Sequence, residues 1–131
     1  MIECALLLAA LLHRDPNLVA EVYWMSGLDG VSVVECESQF NPRALRVEPR
    51  GHTSFGLWQI DNEWHEQYRG NLLLHIAKGA EILRDCAGRD LSTKVSHYNG
   101  GDFPGAYSIA WGKTVERKRD SLALYLWRRM R

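Results

Sequence analysis

The chain has 131 residues, of which 46% are hydrophobic and 24% charged. This is ordinary globular usage, so a disordered chain is excluded, and the length suits one domain able to bury a core without metal or disulfide staples. Sixteen Lys and Arg balance sixteen Asp and Glu, so bulk charge gives no reason to expect nucleic acid as a partner.

The early apolar run Ala5 to Leu12 is too short to span a bilayer, so no membrane span is expected. Glu3 is the only charge ahead of it, and the basic region of an export signal is missing. An ordinary buried helix over Ile2 to His13 is the expectation. Asp15-Pro16 reads as an N-cap and first helical position, opening a second helix to about Ser26 with Gly27 at its exit. Asp29 can cap a third helix carrying Val31, Val33, Val34 and Phe40, stopping near Asn41 because Pro42 disfavours helix at the residue before it.

Asn41 to Ser54, with two prolines and Gly51, reads as a loop or small hairpin, and Phe55 to Ile60 as a short strand or extended segment. Asp61 caps a short helix with Trp64. Asn71 caps a longer one with Leu74, Ala77, Ile82 and Leu83 on its apolar side, ending at Gly88. Asp90 and Ser92 start another that reaches Tyr98, and Asn99-Gly100-Gly101 breaks it. Pro104 fits the first turn of a short helix, and Thr114 to Arg129 forms the last, with Val115, Leu122 and Leu126 inside and a basic final turn that suits the helix dipole. Seven or eight helices and at most a small hairpin predict a mainly α, at most α+β, single domain over residues 1–131.

Cys4, Cys36 and Cys86 are odd in number and widely spaced, so they offer no zinc clip and at most one bridge. Buried free thiols are expected, with one disulfide in an oxidising compartment as the alternative. The five histidines, His13, His52, His65, His75 and His97, contain no H-E-x-x-H pattern. No metal and no other cofactor is expected, and His65 and His75 read as helix-surface or core residues.

Glu37 is the acidic residue in an unusual place. It falls on the last turn of a helix behind Val33, Val34 and Cys36, with Phe40 one turn on. A carboxyl at the rim of an apolar core loses solvation and its pKa rises. A carboxyl still protonated near neutral pH can donate to a leaving group. Glu35 points to another face and reads as a solvated side chain.

Three short strings surround this residue in order along the chain. They are Glu37-Ser38-Gln39-Phe40-Asn41-Pro42-Arg43-Ala44, then Ser54-Phe55-Gly56-Leu57-Trp58-Gln59-Ile60-Asp61, then His97-Tyr98-Asn99-Gly100-Gly101. In order and spacing they resemble the motifs of the goose-type lysozyme and soluble lytic transglycosylase superfamily, roughly E-S-x-F-x-P-x-A, G-L-M-Q and A-Y-N-x-G. The helix around His75 to Leu83 is similar to the family's helix after the second motif. The resemblance covers about Val31 to Gly101. Trp58 stands where the family usually has Met and His97 where it often has Ala, and the stretch Arg46 to Thr53 is unmatched.

The resemblance implies a lysozyme-like helical domain whose partner is the glycan strand of peptidoglycan, cleaved at the β-1,4 bond between N-acetylmuramic acid and N-acetylglucosamine with Glu37 as the acid. Substrate-binding roles then fall on Ser38, Gly56, Leu57, Trp58, Gln59, Tyr98 and Asn99. Gly56 permits close backbone approach. Gln59 offers a donor and an acceptor to an N-acetyl group or to its own loop. Tyr98 can orient Glu37, and Asn99 faces substrate or caps its turn. Trp58 either stacks on a sugar or belongs to the core.

Glycosidases generally pair two carboxyls. Lytic transglycosylases of this superfamily work with one, the muramic 6-hydroxyl replacing water and a 1,6-anhydro end forming. Goose-type lysozymes add aspartates that position water. Asp61, directly after the second string and four residues before His65, matches the goose-type G-L-M-Q-V-D pattern, although it is equally a helix cap. Glu48 is the nearest candidate for a further acid. The expectation is a monomeric muramidase that hydrolyses, with transglycosylation as the alternative and a non-catalytic peptidoglycan-binding module behind both. Small size and the missing export signal suggest delivery to the cell wall by another device, as for a phage endolysin.

Overall fold

The computed structural model describes residues 2–49 and 51–131. It is mainly helical, with one small antiparallel sheet. Helix α1 (Ile2–Leu12) leads into α2 (Pro16–Ser38), which Asp15 caps by accepting from the amides of Asn17 and Leu18. The two helices expected on either side of Gly27 are the arms of α2. Gly27 has φ 65° and ψ −161°, a conformation a side chain would resist, so the axis bends there without a loop. Asp29, expected as a cap, instead accepts from Arg119 Nη1 at 2.8 Å.

The stretch after α2 forms strands β1 (Leu45–Val47), β2 (Thr53–Phe55) and β3 (Ile60–Asp61), in that order in the sheet. Leu45 pairs with Phe55, and Phe55 with Ile60. Phe55 to Ile60 is therefore not one extended segment. It turns back on itself through Gly56–Gln59, with the Gln59 amide donating to the Gly56 carbonyl. Asp61 then caps α3 (Asn62–His65), a 3₁₀ turn follows over Glu66–Tyr68, and Asn71 caps α4 (Leu72–Asp85).

Helix α4 is rotated from the expected face. His75, Ile76, Gly79 and Leu83 point inward while Leu74 is exposed. The Trp58 ring presses on Gly79, where an added Cβ would lie 2.1 Å from the indole, and His75 accepts from the Trp58 amide. Those two contacts set the rotation. The helix stops at Asp85, three residues before Gly88, because Cys86 is already extended.

Helix α5 (Leu91–Gly100) is capped by Asp90 and runs two residues past Tyr98, leaving at Gly101. The two last helices expected from the sequence are a single α6 (Ala106–Met130). Gly112 is where α6 lies against α5: a Cβ there would meet the Ser92 carbonyl at 2.1 Å. Val31, Val33 and Val34 of α2 share the core with Trp58, Ile76, Val95, Val115 and Leu122. Helix α2 packs on α1, α4 and α6, and its end opens at the surface. No helix among the described residues is long and apolar enough to cross a membrane.

Candidate active site

Glu37 sits in the last turn of α2, where its side chain is 2% exposed. The chain leaves the helix through two successive left-handed residues, Gln39 (φ 53°) and Phe40 (φ 59°). For a bulky side chain this costs energy and persists because the surroundings hold it. Phe40 is buried, and the Gln39 amide donates to the Glu35 carbonyl. Gln59 is a third such residue (φ 51°). Three of the four left-handed non-glycine residues described lie in the first two strings, and strain of this kind gathers at working sites.

The carboxyl of Glu37 lines a cleft of about 650 Å³ shared with Arg46, Glu48, His52, Ser54, Gln59, Asp61, Tyr98, Asn99 and Tyr107, among others. Segments from all three strings therefore meet at one cavity. Trp111 Nε1 donates to Glu37 Oε1 at 2.8 Å, and Arg46 Nη2 lies 3.9 Å from Oε2. Burial pushes the Glu37 carboxyl above the usual carboxylate range. The Trp111 bond and the Arg46 charge pull the other way, and the charge of Glu48 adds to the rise.

Glu48 lies in the same cleft in the opposite electrostatic state. Burial acts to raise it, but hydrogen bonds from Ser54 Oγ (2.7 Å) and Arg46 Nε (3.0 Å), with the Arg46 charge, bring it below its ordinary value. Both of those bonds use Oε1, so neither occupies Oε2. One guanidinium thus touches two carboxyls whose environments push them apart, the condition under which one serves as acid and the other as base.

Asp61 reaches the cleft with one oxygen hydrogen-bonded and the other crowded by a ring nitrogen that makes no hydrogen bond. Oδ1 accepts from the Glu63 amide at 2.7 Å, which is its capping role, and Oδ2 lies 2.6 Å from His52 Nδ1. His52, Asp61 and Glu63 have ligand atoms within 4.8 Å of one another, the spacing of a metal site. The His52–Asp61 contact accounts for two of them, and Glu63 is exposed at the cleft rim.

The remaining sequence candidates divide between the cleft and its scaffold. Ser38 Oγ donates to the Leu57 carbonyl at 2.8 Å, tying the end of α2 to the β2–β3 turn. Leu57 and Trp58 are fully buried, so their surface goes to the core and none to the cleft. Gly56 (φ 76°) lies over the His75 ring, where a Cβ would approach Cε1 to 2.5 Å, and it opens on a different depression from Glu37. Gln59 Nε2 donates to the carbonyl of Gly56 in its own turn and to that of Ala44, just before β1.

Tyr98 donates its hydroxyl to the Trp58 carbonyl, not to Glu37, while Asn99 Oδ1 accepts from Ser108 Oγ at 2.7 Å. The partner that Tyr98 was expected to provide is Trp111. No local signal marks Trp111, which lies 74 residues from Glu37 in a stretch that reads as the gap between two helices. Arg46 and Tyr107 likewise belong to no string. Cys4, Cys36 and Cys86 are free, and burial pushes the Cys36 thiol up to about 11, so it stays an inert thiol. Comparison of the chain with family models, with curated proteins and with solved structures returned no match.

Proposed function

We propose that the chain is a peptidoglycan muramidase that hydrolyses the β-1,4 bond between N-acetylmuramic acid and N-acetylglucosamine. The observation that carries this reading is the pair of carboxyls joined by Arg46: Glu37 buried and raised, Glu48 hydrogen-bonded and lowered, in one open cleft. In this scheme Glu37 gives its proton to the departing glycosidic oxygen. Glu48 takes a proton from the water that attacks C1, so the products are two free sugar ends. The three strings supply the choice of substrate, since they resemble those of enzymes acting on this polymer. Exposed Tyr107 offers an aromatic face to a sugar ring at the rim.

Asp61 is a weaker water-positioner than Glu48, because its cap takes Oδ1 and the His52 ring crowds Oδ2 at 2.6 Å. That observation also favours the second reading, a lytic transglycosylase in which Glu37 works alone and the muramic 6-hydroxyl attacks. Digestion of purified cell walls in ¹⁸O-water, followed by mass spectrometry of the soluble fragments, separates the two. Hydrolysis puts label into reducing N-acetylmuramic ends. Unlabelled 1,6-anhydro ends, lighter by one water, would assign the transglycosylase.

A further inference from the structure

The molecule is electrically neutral as a whole, but its charge is not evenly spread. After Asp120 the remainder of the chain holds no acidic residue and three arginines, Arg128, Arg129 and Arg131, all exposed. On α6, Leu122 and Leu126 are buried, and the opposite face carries Leu124 and Trp127 at helical spacing with Arg128 and Arg131 beside them. Trp127 is 58% exposed and Met130 49%. The Arg131 guanidinium lies 4.3 Å from the Trp127 ring centroid, and Arg129 covers Tyr125. Cys4 Sγ approaches Met130 Sδ to 3.2 Å, which sets α1 alongside this end of α6. Helix α1 has no charge from Ala5 to Leu12, and it leaves Ile2, Leu6 and Leu11 exposed. The acidic groups nearest in sequence on these two elements are Glu3 and Asp120; Asp120 pairs with Arg119.

We propose that this end of α6, with α1 beside it, docks on an anionic lipid surface. The chemistry of the patch selects that occupant. An exposed tryptophan flanked by arginines is suited to the boundary between headgroups and acyl chains, with the ring lowered into the boundary and the guanidiniums on the phosphates. A second copy paired by two-fold symmetry on the same patch would set these arginines against their own copies. A nucleic acid would use the arginines and leave Leu124, Trp127 and Met130 in water. Docking here would be peripheral, and the inference does not depend on the activity assigned to Glu37.

The test is co-sedimentation of the full chain with vesicles of phosphatidylglycerol and phosphatidylcholine, and with vesicles of phosphatidylcholine alone. Binding is expected to the anionic vesicles, to weaken with added salt, and to be much lower on the neutral ones. Arg128 and Arg131 flank Trp127 and each contributes roughly fivefold, so the R128Q/R131Q variant should bind about twenty-five-fold less. Trp127→Ser should lose affinity and remove a blue shift of the emission on vesicle binding. All three side chains are exposed, and unchanged melting temperatures would show that the variants fold. Equal partition to both vesicle types, or full binding by the double variant, would overturn the proposal. A dimer in sedimentation velocity that disappears with Trp127→Ser would also overturn it, assigning the patch to self-association.

Discussion

Trp111 Nε1 donates to Glu37 Oε1 at 2.8 Å, joining the second turn of α6 to the last turn of α2. A neutral carboxyl whose Oε1 accepts this bond keeps its own proton on Oε2, the oxygen on the Arg46 side. In the proposed reaction the indole would select which oxygen donates, and its bond orients the carboxyl. Trp111→Phe keeps most of the packing and removes the donor. Since that bond lowers the Glu37 pKa, the variant should shift the ¹³C titration of the Glu37 carboxyl to higher pH and reduce wall lysis about tenfold through lost orientation. A titration that stays in place would separate Trp111 from the acid.

Arg46 and Glu48 act on Glu37 with opposite signs. The Arg46 charge lowers its pKa and the Glu48 charge raises it. Arg46→Gln should move the Glu37 titration up and Glu48→Gln should move it down. On the proposed function, activity of the parent protein should rise as pH passes the lowered Glu48 value and fall as it passes the raised Glu37 value, giving a bell-shaped profile. A profile that is flat through the carboxylate range would contradict the pairing.

Stability carries a related signature. The folded-state pKa of Glu37 lies above the unfolded one, so the folded chain binds more protons between the two values and loses stability as pH rises through that window. Glu37→Gln removes the loss. Its urea midpoint should exceed the parent's at neutral pH, and the gap should close below the ordinary glutamate range.

His75 gives the reverse case. Burial lowers it to about 4, and its Nε2 accepts from the Trp58 amide, which needs a neutral ring. Below the ordinary histidine value the unfolded chain takes up a proton that the folded chain refuses, so stability falls as pH drops from about 6.5 toward 4, by on the order of 3 kcal/mol. NMR should find that the His75 resonances do not titrate above pH ~5; a midpoint near the ordinary value would remove the effect.

Gly79 is a steric requirement of the core. A methyl group there would sit 2.1 Å from the Trp58 indole, so Gly79→Ala should cost about 3 kcal/mol, at the upper end of overpacking penalties. Trp58→Leu in the same background should recover part of it. An unchanged melting temperature in Gly79→Ala would mean that α4 moves away freely.

Local chemistry was legible in the sequence. The caps Asp15, Asp61, Asn71 and Asp90 each bond a nearby amide, and a cap needs only neighbours in the chain. Glu37 stood out because its helix face could be read from Val33 and Val34. What depends on distant partners was not legible. Whether Trp58 faces a groove or the core is decided by Gly79, and the partner of Glu37 is decided by how α6 crosses α2. The need for Gly112 is likewise set by α5, whose Ser92 carbonyl leaves no room for a Cβ there. Asp61 and Glu48 could not be ranked until their oxygens were seen with partners.

Release of soluble muropeptides from purified cell walls, followed for the parent and for Glu37→Gln at equal folded concentration, tests the central claim most directly. The substitution keeps the shape of the side chain and removes the transferable proton. The account predicts release by the parent and a loss of ~100-fold or more in the variant, with the fold intact by circular dichroism. Release by Glu37→Gln at near the parent rate, or none from either protein, would contradict it.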